Sequence, residues 1–383
     1  MSSRTQKQTV YCVGSPTFDP ETAIRNDATH EAALRALEDD DFETAIQTWF
    51  RIPDGDDYVY HAIASVTLAQ VQRAVNLGGQ KGLHGWYDWY RDERGEALPP
   101  PSPSDISAYA SIFHPSTSTP AALRSFAANA RKSSLRSLVA AHLTAHLHLP
   151  PPLATPKTKT PPRNPYFDLW TRTAHTLQWT GPLPSHPCTP THPLLPILMH
   201  HFACAVPSHE ALTLLHRLAA GRPIADVGSG SGYWTFMLRQ YTASSSKVIP
   251  IDSAQSAWRT TWVPDTIRTD GARWLARPEN DGGRSLVLLL VYPIVGGGLA
   301  GGVEGGFTRG LLAAYKGDTV AVVGTQNRNG YTGFRDMTMD EFMAKEHKDW
   351  VKVVQIPLPS FAGKDEALFV FQRGERISPR AGK

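Results

Sequence analysis

The feature that most constrains this chain is a cluster of glycines between a short apolar segment and a helical one. Residues 224–227 read Ile-Ala-Asp-Val, residues 228–232 read Gly-Ser-Gly-Ser-Gly, and residues 233–241 have the apolar spacing of a helix. Glycine is favoured where the backbone must turn sharply and approach a ligand closely, because a side chain would collide there. The segment therefore predicts a strand, a tight turn and a helix that together bind a nucleotide-like ligand.

The spacing of the glycines separates two classes of cofactor. A dinucleotide site reads G-x-G-x-x-G and presents a free helix end to a pyrophosphate. This chain instead reads D-x-G-x-G-x-G, and the bulky Tyr233 follows the last glycine. Asp226 would repel a pyrophosphate, whereas it suits a cofactor that carries a sulfonium and an α-ammonium group. A NAD-dependent dehydrogenase is the less favoured interpretation.

With this motif the chain resembles the class I S-adenosylmethionine-dependent methyltransferase family, whose first motif is an acidic residue followed by G-x-G-x-G. The resemblance covers residues 194–383, about half of the chain. It implies an α/β fold, with a Rossmann-like, seven-stranded and mostly parallel sheet whose final strand is antiparallel. It also implies S-adenosyl-L-methionine as cofactor, with the methionine portion held by Asp226, Gly228, Ser229, Gly230 and Gly232.

Two further acidic residues extend the resemblance downstream. Residues 247–252 have the pattern of a second strand that ends in Asp252, 20 residues beyond Gly232. A carboxylate at that position can accept hydrogen bonds from both ribose hydroxyls. Residues 266–271 are typical of a third strand that ends in an Asp-Gly turn, and the family would place Asp270 near the adenine amino group beside Gly271. Asp270 can also cap the helix that follows, and the two roles are compatible.

The acceptor side of the site is less informative. Residues 285–293 form a near-continuous apolar run, typical of a central parallel strand. Many family members end this strand with an acidic or Asn-Pro-Pro-aromatic element, but here residues 291–294 read Val-Tyr-Pro-Ile. Tyr292 either lines the methyl-transfer site or is the last buried residue of the strand. Gln326 and Asn327, after a fifth strand at 318–324, either bind a substrate or serve as turn residues. The candidate catalytic residues are therefore Tyr292, Gln326 and Asn327, and the acceptor atom stays open.

The amino-terminal half has a helical pattern. Residues 30–50 form two amphipathic segments around an acidic turn and resemble one tetratricopeptide unit, but no second copy follows, so a helical accessory region is preferred to a solenoid. The aromatic segment at 82–94 either stacks a flat substrate or anchors a helix on its neighbour. Residues 119–149 have the pattern of one helix.

Proline becomes frequent after residue 149 and interrupts regular structure. We therefore divide the chain into a helical amino-terminal region at 1–149, a proline-rich connector at 150–193 and a methyltransferase-like domain at 194–383. The last of these is predicted to begin with a long apolar helix at 194–219.

Charge and composition bear on the partners. The 38 basic and 35 acidic side chains leave a net charge of +3, and no run of like charges would follow a phosphate backbone. A small molecule or a protein side chain is thus favoured as acceptor over bulk nucleic acid, and the amino-terminal helices are a possible surface for a protein partner.

Other residue types indicate compartment and metal content. The 3 cysteines lie far apart, which favours a reducing compartment. The amino terminus lacks the apolar core of a signal peptide, so we expect no membrane segment and a cytoplasmic location, with nuclear entry left open. His142, His146, His148 and the pair His200 and His201 lack cysteine or carboxylate neighbours at ligand spacing, so no metal is expected.

The sequence therefore predicts an enzyme that transfers a methyl group from S-adenosyl-L-methionine to an unidentified acceptor. Such chemistry depends chiefly on holding the acceptor and the methyl group in line. Because the usual acceptor motif is missing, the alternative is a catalytically silent, methyltransferase-like protein that binds the cofactor and a partner.

Overall fold

The amino-terminal half of the chain is mainly helical in the computed structural model. The structure describes residues 18–62, 64–78, 94–96, 101–154, 158, 160–176, 179, 181–184, 193–242, 246–255, 258–293, 303–328, 333–334, 336–361 and 363–377. The elements before residue 193 are α1 (Pro20–Arg25), α2 (Asp27–Glu38), α3 (Phe42–Phe50), β1 (Tyr60–His61), β2 (Ser65–Val66), α4 (Leu68–Leu77), α5 (Pro103–Ala110), α6 (Thr119–Ala128), α7 (Leu135–His146) and α8 (Pro165–Thr176). None of the described helices has both the length and the apolar character needed to cross a bilayer.

The carboxy-terminal half alternates strands and helices. Its elements are α9 (Leu194–His201), α10 (His209–Ala219), β3 (Ile224–Val227), α11 (Tyr233–Thr242), β4 (Val248–Asp252), β5 (Ile267–Arg268), α12 (Gly271–Leu275), β6 (Val287–Val291), α13 (Gly306–Ala314), β7 (Thr319–Thr325), α14 (Met339–Glu346), β8 (Val351–Pro357) and β9 (Glu366–Gln372).

Seven of these strands form one sheet in the order β5-β4-β3-β6-β7-β9-β8. The strands from β3 to β7 pair in parallel, and β9 lies antiparallel between β7 and β8. The sheet is thus mostly parallel, with its last strand reversed. The α/β, Rossmann-like fold expected of the class I methyltransferase family is confirmed.

Local signals explain where the helices begin. The predicted hairpin is present as α2 and α3, and its helices start where the side chains of Asn26 and Asp41 accept hydrogen bonds from backbone amides of the first turn. The single helix predicted at 119–149 is instead α6 and α7, because Ser134 caps a new helix after the break.

The long apolar helix predicted at 194–219 is likewise wrong. The structure has α9 and α10 there, with residues 202–208 between them. Pro207 removes a backbone donor, and Ser208 accepts a hydrogen bond from the amide of Ala211 and starts α10. The sequence predicted one helix because the apolar spacing continues across the break, and it continues because both helices bury apolar residues.

One hydrophobic core joins the two halves. It contains Ala33 of α2, Trp170 of α8, Leu215 of α10 and Val370 of β9. A second core on the other face of the sheet is formed by α12, α13 and α14 with residues such as Trp274. Residue 148 also pairs with Gln355 of β8 through two backbone hydrogen bonds of 2.7 and 2.8 Å. The division into three segments stays a prediction.

The aromatic segment at 82–94 lies almost wholly outside the described residues.

Candidate functional site

A cavity of about 450 Å³ lies at the carboxyl ends of β3, β4, β5 and β6. This is where ligands bind in open parallel sheets, and the volume is within the usual range for small-molecule sites. Five predicted site residues line this cavity, namely Gly228, Asp252, Asp270, Gly271 and Tyr292. The order of strands along the sheet thus brings together residues that lie up to 64 positions apart in sequence.

The glycine turn has the conformation that its sequence predicts. Gly228, Gly230 and Gly232 have φ of +77°, +55° and +82°, all in the left-handed region that other residues avoid. A Cβ atom on Gly230 would also lie 2.7 Å from the indole ring of Trp258. None of the three glycines could be replaced by a residue with a side chain without strain or local displacement.

The backbone amides of this turn already have acceptors within the protein. The amides of Gly228 and Ser229 donate to the carbonyl oxygen of Ile251 at 2.8 and 3.1 Å, and the amide of Gly232 donates to Ser229 at 2.9 Å. A pyrophosphate site needs such amides free to point at the anion. The turn is therefore shaped for close approach of a ligand rather than for binding phosphate.

Asp226 lies in β3 beneath the turn and is fully buried. Its Oδ2 accepts a hydrogen bond of 2.7 Å from Thr235 of α11, while Oδ1 has no hydrogen-bond partner among the described residues. Burial raises the pKa of this carboxyl to about 7, against the smaller opposing effect of the Thr235 hydrogen bond. Asp226 lines a smaller cavity of about 20 Å³ beside the main one, together with Ser229 and Trp258.

Asp252 ends β4 and holds the glycine turn in place. Its Oδ2 accepts from the amide of Gly230 at 2.9 Å, and its Oδ1 accepts from the amide of Ala254 at 2.7 Å. Each carboxylate oxygen can accept a second hydrogen bond, so the side chain that shapes the turn can also bind two hydroxyl groups.

Asp270 and Gly271 follow β5. Asp270 caps α12 by accepting a hydrogen bond of 2.9 Å from the amide of Arg273, and its side chain is exposed on the cavity rim. Gly271 is buried, and a Cβ atom there would collide with the side chain of Val227. The capping role is thus present, and it leaves the second carboxylate oxygen available to a ligand.

Tyr292 follows β6 and has φ of +55°, which is unusual for an aromatic residue. Its hydroxyl donates a hydrogen bond of 3.1 Å to Glu366 Oε1, and its amide donates to Val323 at 2.7 Å. A residue keeps such a conformation only when the surrounding structure holds it there, and residues of this kind cluster at functional sites. Tyr292 both forms part of the cavity wall and is nearly buried.

Gln326 and Asn327 follow β7 and do not line the cavity. Gln326 Nε2 donates to Asp365 Oδ1 at 2.9 Å, and its Oε1 accepts from Gln355 at 3.0 Å. Asn327 Nδ2 donates to the carbonyl oxygen of Gly363 at 3.2 Å. Both side chains tie the end of β7 to the segment before β9, and their catalytic role stays a prediction.

Several cavity residues escaped the sequence analysis. His61 and Ala62 come from β1 and the turn after it, Met199 and His200 come from α9, and Trp258 follows β4. The only local signal was the His200-His201 pair, which was considered for metal binding. No spacing rule links residue 61 to residue 200, so only the folded chain shows that they form one wall.

Comparison with known proteins adds fold-level likeness only. No family model and no curated protein matches the chain. Among solved structures it is similar to TrmN from Thermus thermophilus (18% identity over 44% of this chain and 49% of that one, TM-score 0.29). It is also similar to the pyocyanin biosynthetic protein PhzM (16% identity over 43% and 57%, TM-score 0.28) and to a candidate S-adenosylmethionine-dependent methyltransferase from Streptococcus mutans (11% identity over 43% and 48%, TM-score 0.30). The chain spans about half the length of TrmN (49%), so the fold is established by its own strand order and not by these likenesses.

Proposed function

We propose that this protein transfers the methyl group of S-adenosyl-L-methionine to a nucleophilic acceptor, a small molecule or a protein side chain. The observation that carries the proposal is the cavity at the strand ends, in which the glycine turn, Asp252 and Asp270 meet. The topology supports it, because the seven-stranded sheet with one reversed strand is the fold that the class I methyltransferase resemblance implies.

The residues present fit this cofactor from one end to the other. Asp252 would hold the ribose hydroxyls, and Asp270 would accept from the adenine amino group. The buried Oδ1 of Asp226 has no hydrogen-bond partner among the described residues. It would accept a hydrogen bond from the α-ammonium group of the cofactor. The left-handed Gly228 lines the cavity without a side chain, so the methionine portion can approach the backbone closely there.

When bound, the cofactor supplies an electrophilic methyl group on a sulfonium. The protein would position the cofactor and the acceptor and exclude water from the space between them. Asp252 fixes the turn through the amide of Gly230, and Trp258 covers the same glycine. His61, Ala62 and Met199 line the same cavity as Gly228 and would limit the direction from which an acceptor can approach. Alignment of donor and acceptor can contribute about 7–11 kcal/mol to a two-substrate reaction.

Calorimetric titration with S-adenosylhomocysteine tests the cofactor assignment. We expect micromolar binding by the intact protein and a loss of at least about 100-fold in Asp252→Ala, since the variant loses the ribose contact and the acceptor for the Gly230 amide. Asp265→Ala is the matched control. Asp265 forms an ion pair of 2.8 Å with Arg239 and does not line the cavity. Failure of the intact protein to bind would refute the proposal.

A second measurement separates the enzyme from the catalytically silent alternative. The protein is incubated with labelled S-adenosylmethionine and a cell extract, and label is followed into protein, RNA and small-molecule fractions. Transfer that is lost in Asp252→Ala but kept in Asp265→Ala supports the enzyme. Intact binding of S-adenosylhomocysteine without transfer to any fraction would favour the silent protein.

A further inference from the structure

Asp226 is a carboxyl group that the fold shields from water and satisfies on one side only. It lies in β3, its side chain is fully buried, and its Oδ2 accepts a hydrogen bond of 2.7 Å from Thr235. Its Oδ1 is closed to solvent and has no hydrogen-bond partner among the described residues. An ionised carboxylate in such a place loses its hydration and gains little in return, so the protonated form is favoured.

The charged and titratable groups around Asp226 do not reverse this balance. Asp252 of β4 adds a second negative charge, which opposes ionisation, and the other neighbouring strand, β6, is apolar. Arg239 of α11 favours ionisation, but its effect is weak beside that of burial, and its guanidinium is paired with another carboxylate. Cys204 is neutral, because burial raises the pKa of its thiol to about 12. Burial thus brings the pKa of Asp226 to about 7.

The small cavity beside Asp226 adjoins the main one. It has a volume of about 20 Å³, and Asp226, Ser229 and Gly230 contribute to its wall. Four residues line both cavities, namely Gly228, Cys204, Trp258 and Val291. A space of this size holds one water molecule or a group of similar size, such as an ammonium. The buried carboxyl is therefore separated from the main cavity by no more than the width of one small group.

A positive charge that enters this part of the cavity acts on Asp226 without having to touch it. The attraction between two unit charges falls only as the inverse of their distance, and it is stronger in a buried site than in water. A cation within about 4–6 Å commonly moves the pKa of a carboxyl down by about 1–3. The α-ammonium group of the proposed cofactor carries such a charge, whereas its adenosine portion does not.

We infer that binding of the cofactor releases one proton from Asp226, and that the ammonium group of the ligand replaces this proton as the partner of the buried carboxylate. The inference rests on the proposed function. The O–H bond of the carboxyl breaks, the proton leaves to solvent, and the bound ammonium neutralises the carboxylate that remains. The site therefore favours ligands with a positive charge at the amino-acid end, and it binds them less tightly as the pH falls below neutrality.

Calorimetry of the full-length protein in buffers of different ionisation enthalpy counts the protons released on binding. The two probes are S-adenosylhomocysteine, which carries the ammonium, and 5′-methylthioadenosine, which has the same adenosine portion without the amino acid. We expect S-adenosylhomocysteine to release at least about 0.5 proton at pH 6 and less than about 0.2 at pH 8. Its affinity should rise about 5- to 10-fold between these pH values, whereas 5′-methylthioadenosine should show neither effect.

A variant assigns the proton to its residue. Asp226→Asn keeps the shape of the side chain but cannot ionise, so we expect it to release less than about 0.2 proton with S-adenosylhomocysteine at pH 6. His61 and His200 also line the main cavity and are retained in this variant, so any proton that they release would still be counted. Asp265→Asn is the control, because Asp265 lines neither cavity and should leave the proton count unchanged.

Carbon NMR of the intact protein with labelled aspartate gives the same answer without a substitution. At pH 6 the carboxyl resonance of Asp226 should move from the protonated to the ionised position when S-adenosylhomocysteine is added, and it should stay in place with 5′-methylthioadenosine. This measurement decides the question even if Asp226→Asn fails to fold.

The contrary outcomes are distinct. Binding of S-adenosylhomocysteine at pH 6 without release of a proton would overturn the exchange. Equal release with 5′-methylthioadenosine, or release that persists in Asp226→Asn, would assign the proton to another group and overturn it as well. Absence of S-adenosylhomocysteine binding by the intact protein at both pH values would instead refute the proposed function on which the inference rests.

Discussion

The two walls of the cavity are built in different ways. The sheet wall, formed by Gly228, Asp252 and Asp270, consists of residues at the carboxyl ends of β3, β4 and β5. The helical wall, formed by His61, Ala62, Met199 and His200, joins a short hairpin to a helix 139 residues away, through the hydrogen bond from His200 to His61. The residues that the methyltransferase resemblance assigns to the cofactor come from local motifs, whereas the wall proposed to meet the acceptor depends on long-range packing.

The largest expected effect tests whether the two halves are one folding unit. Trp170 of α8 is fully buried, packs on Tyr109 and Phe113, and donates from Nε1 to Ser360 of the carboxy-terminal half at 3.0 Å. We expect Trp170→Ala to lower the free energy of unfolding by about 3–5 kcal/mol. Calorimetry should show a single transition shifted to lower temperature, because the shared core links both halves.

The matched control is Leu138→Ala, since Leu138 of α7 is 41% exposed. Its effect should stay within about 0.5 kcal/mol. Two separate transitions in Trp170→Ala, with the sheet unchanged, would contradict the shared core and show that the amino-terminal region is an independent domain.

The next prediction concerns the ion pair that joins the helical wall to the sheet. Arg259 is 4% exposed, pairs with Asp56, and lies 4.0 Å above the ring of Tyr58. We expect Arg259→Met to cost about 2–4 kcal/mol, because Asp56 then loses its counter-charge in a partly buried position.

A double-mutant cycle with Asp56→Asn, measured by urea unfolding, checks this. The double variant should recover part of the loss, since no unpaired carboxylate remains. Additive effects of the two substitutions would show that the pair does not connect the walls.

The sequence predicted the sheet wall of the cavity much better than the helical wall. The strands from β3 to β7 and the acidic residues at the ends of β4 and β5 were found from the sequence, because a buried parallel strand is a short apolar run and its ligand residue lies at its carboxyl end. The break at Pro207 was missed, because both α9 and α10 are apolar and periodicity alone does not show where one helix ends. Cavity residues His61 and His200 could not be paired, since their contact depends on the packing of β1 against α9.

Asp226 provides a prediction on pH dependence within the sheet wall. Burial raises the pKa of this carboxyl from its ordinary value of 3.8 to about 7 in the folded protein. The folded protein thus holds a proton that the unfolded chain has released, and stability falls as pH rises from about 4 to about 7. Asp226→Asn removes this penalty, so we expect it to stabilise the protein by about 1–3 kcal/mol at pH 8 and hardly at all at pH 4.

Urea unfolding at both pH values measures this effect, and calorimetry should show weaker S-adenosylhomocysteine binding by the same variant. Asp265→Asn is the control, because Asp265 is exposed and pairs with Arg239. A variant that is destabilised at pH 8 would mean that the carboxylate is compensated in the folded protein and is not reserved for a ligand.

Substitution of Tyr292 has the smallest expected effect on stability. Because Tyr292 lines the same cavity as both walls, it also tests which of them binds the acceptor. Tyr292→Phe removes only the hydroxyl that donates to Glu366 at 3.1 Å, and it leaves φ of +55° unchanged. We expect a loss of about 1 kcal/mol in the free energy of unfolding, typical of one hydrogen bond, and S-adenosylhomocysteine affinity within about twofold. If turnover also changes by less than about twofold, the hydroxyl stabilises the wall through Glu366 and the acceptor is bound by the helical wall. A fall in turnover of about 100-fold at unchanged cofactor affinity would instead show that Tyr292 acts on the acceptor, as its place after β6 suggested from the sequence.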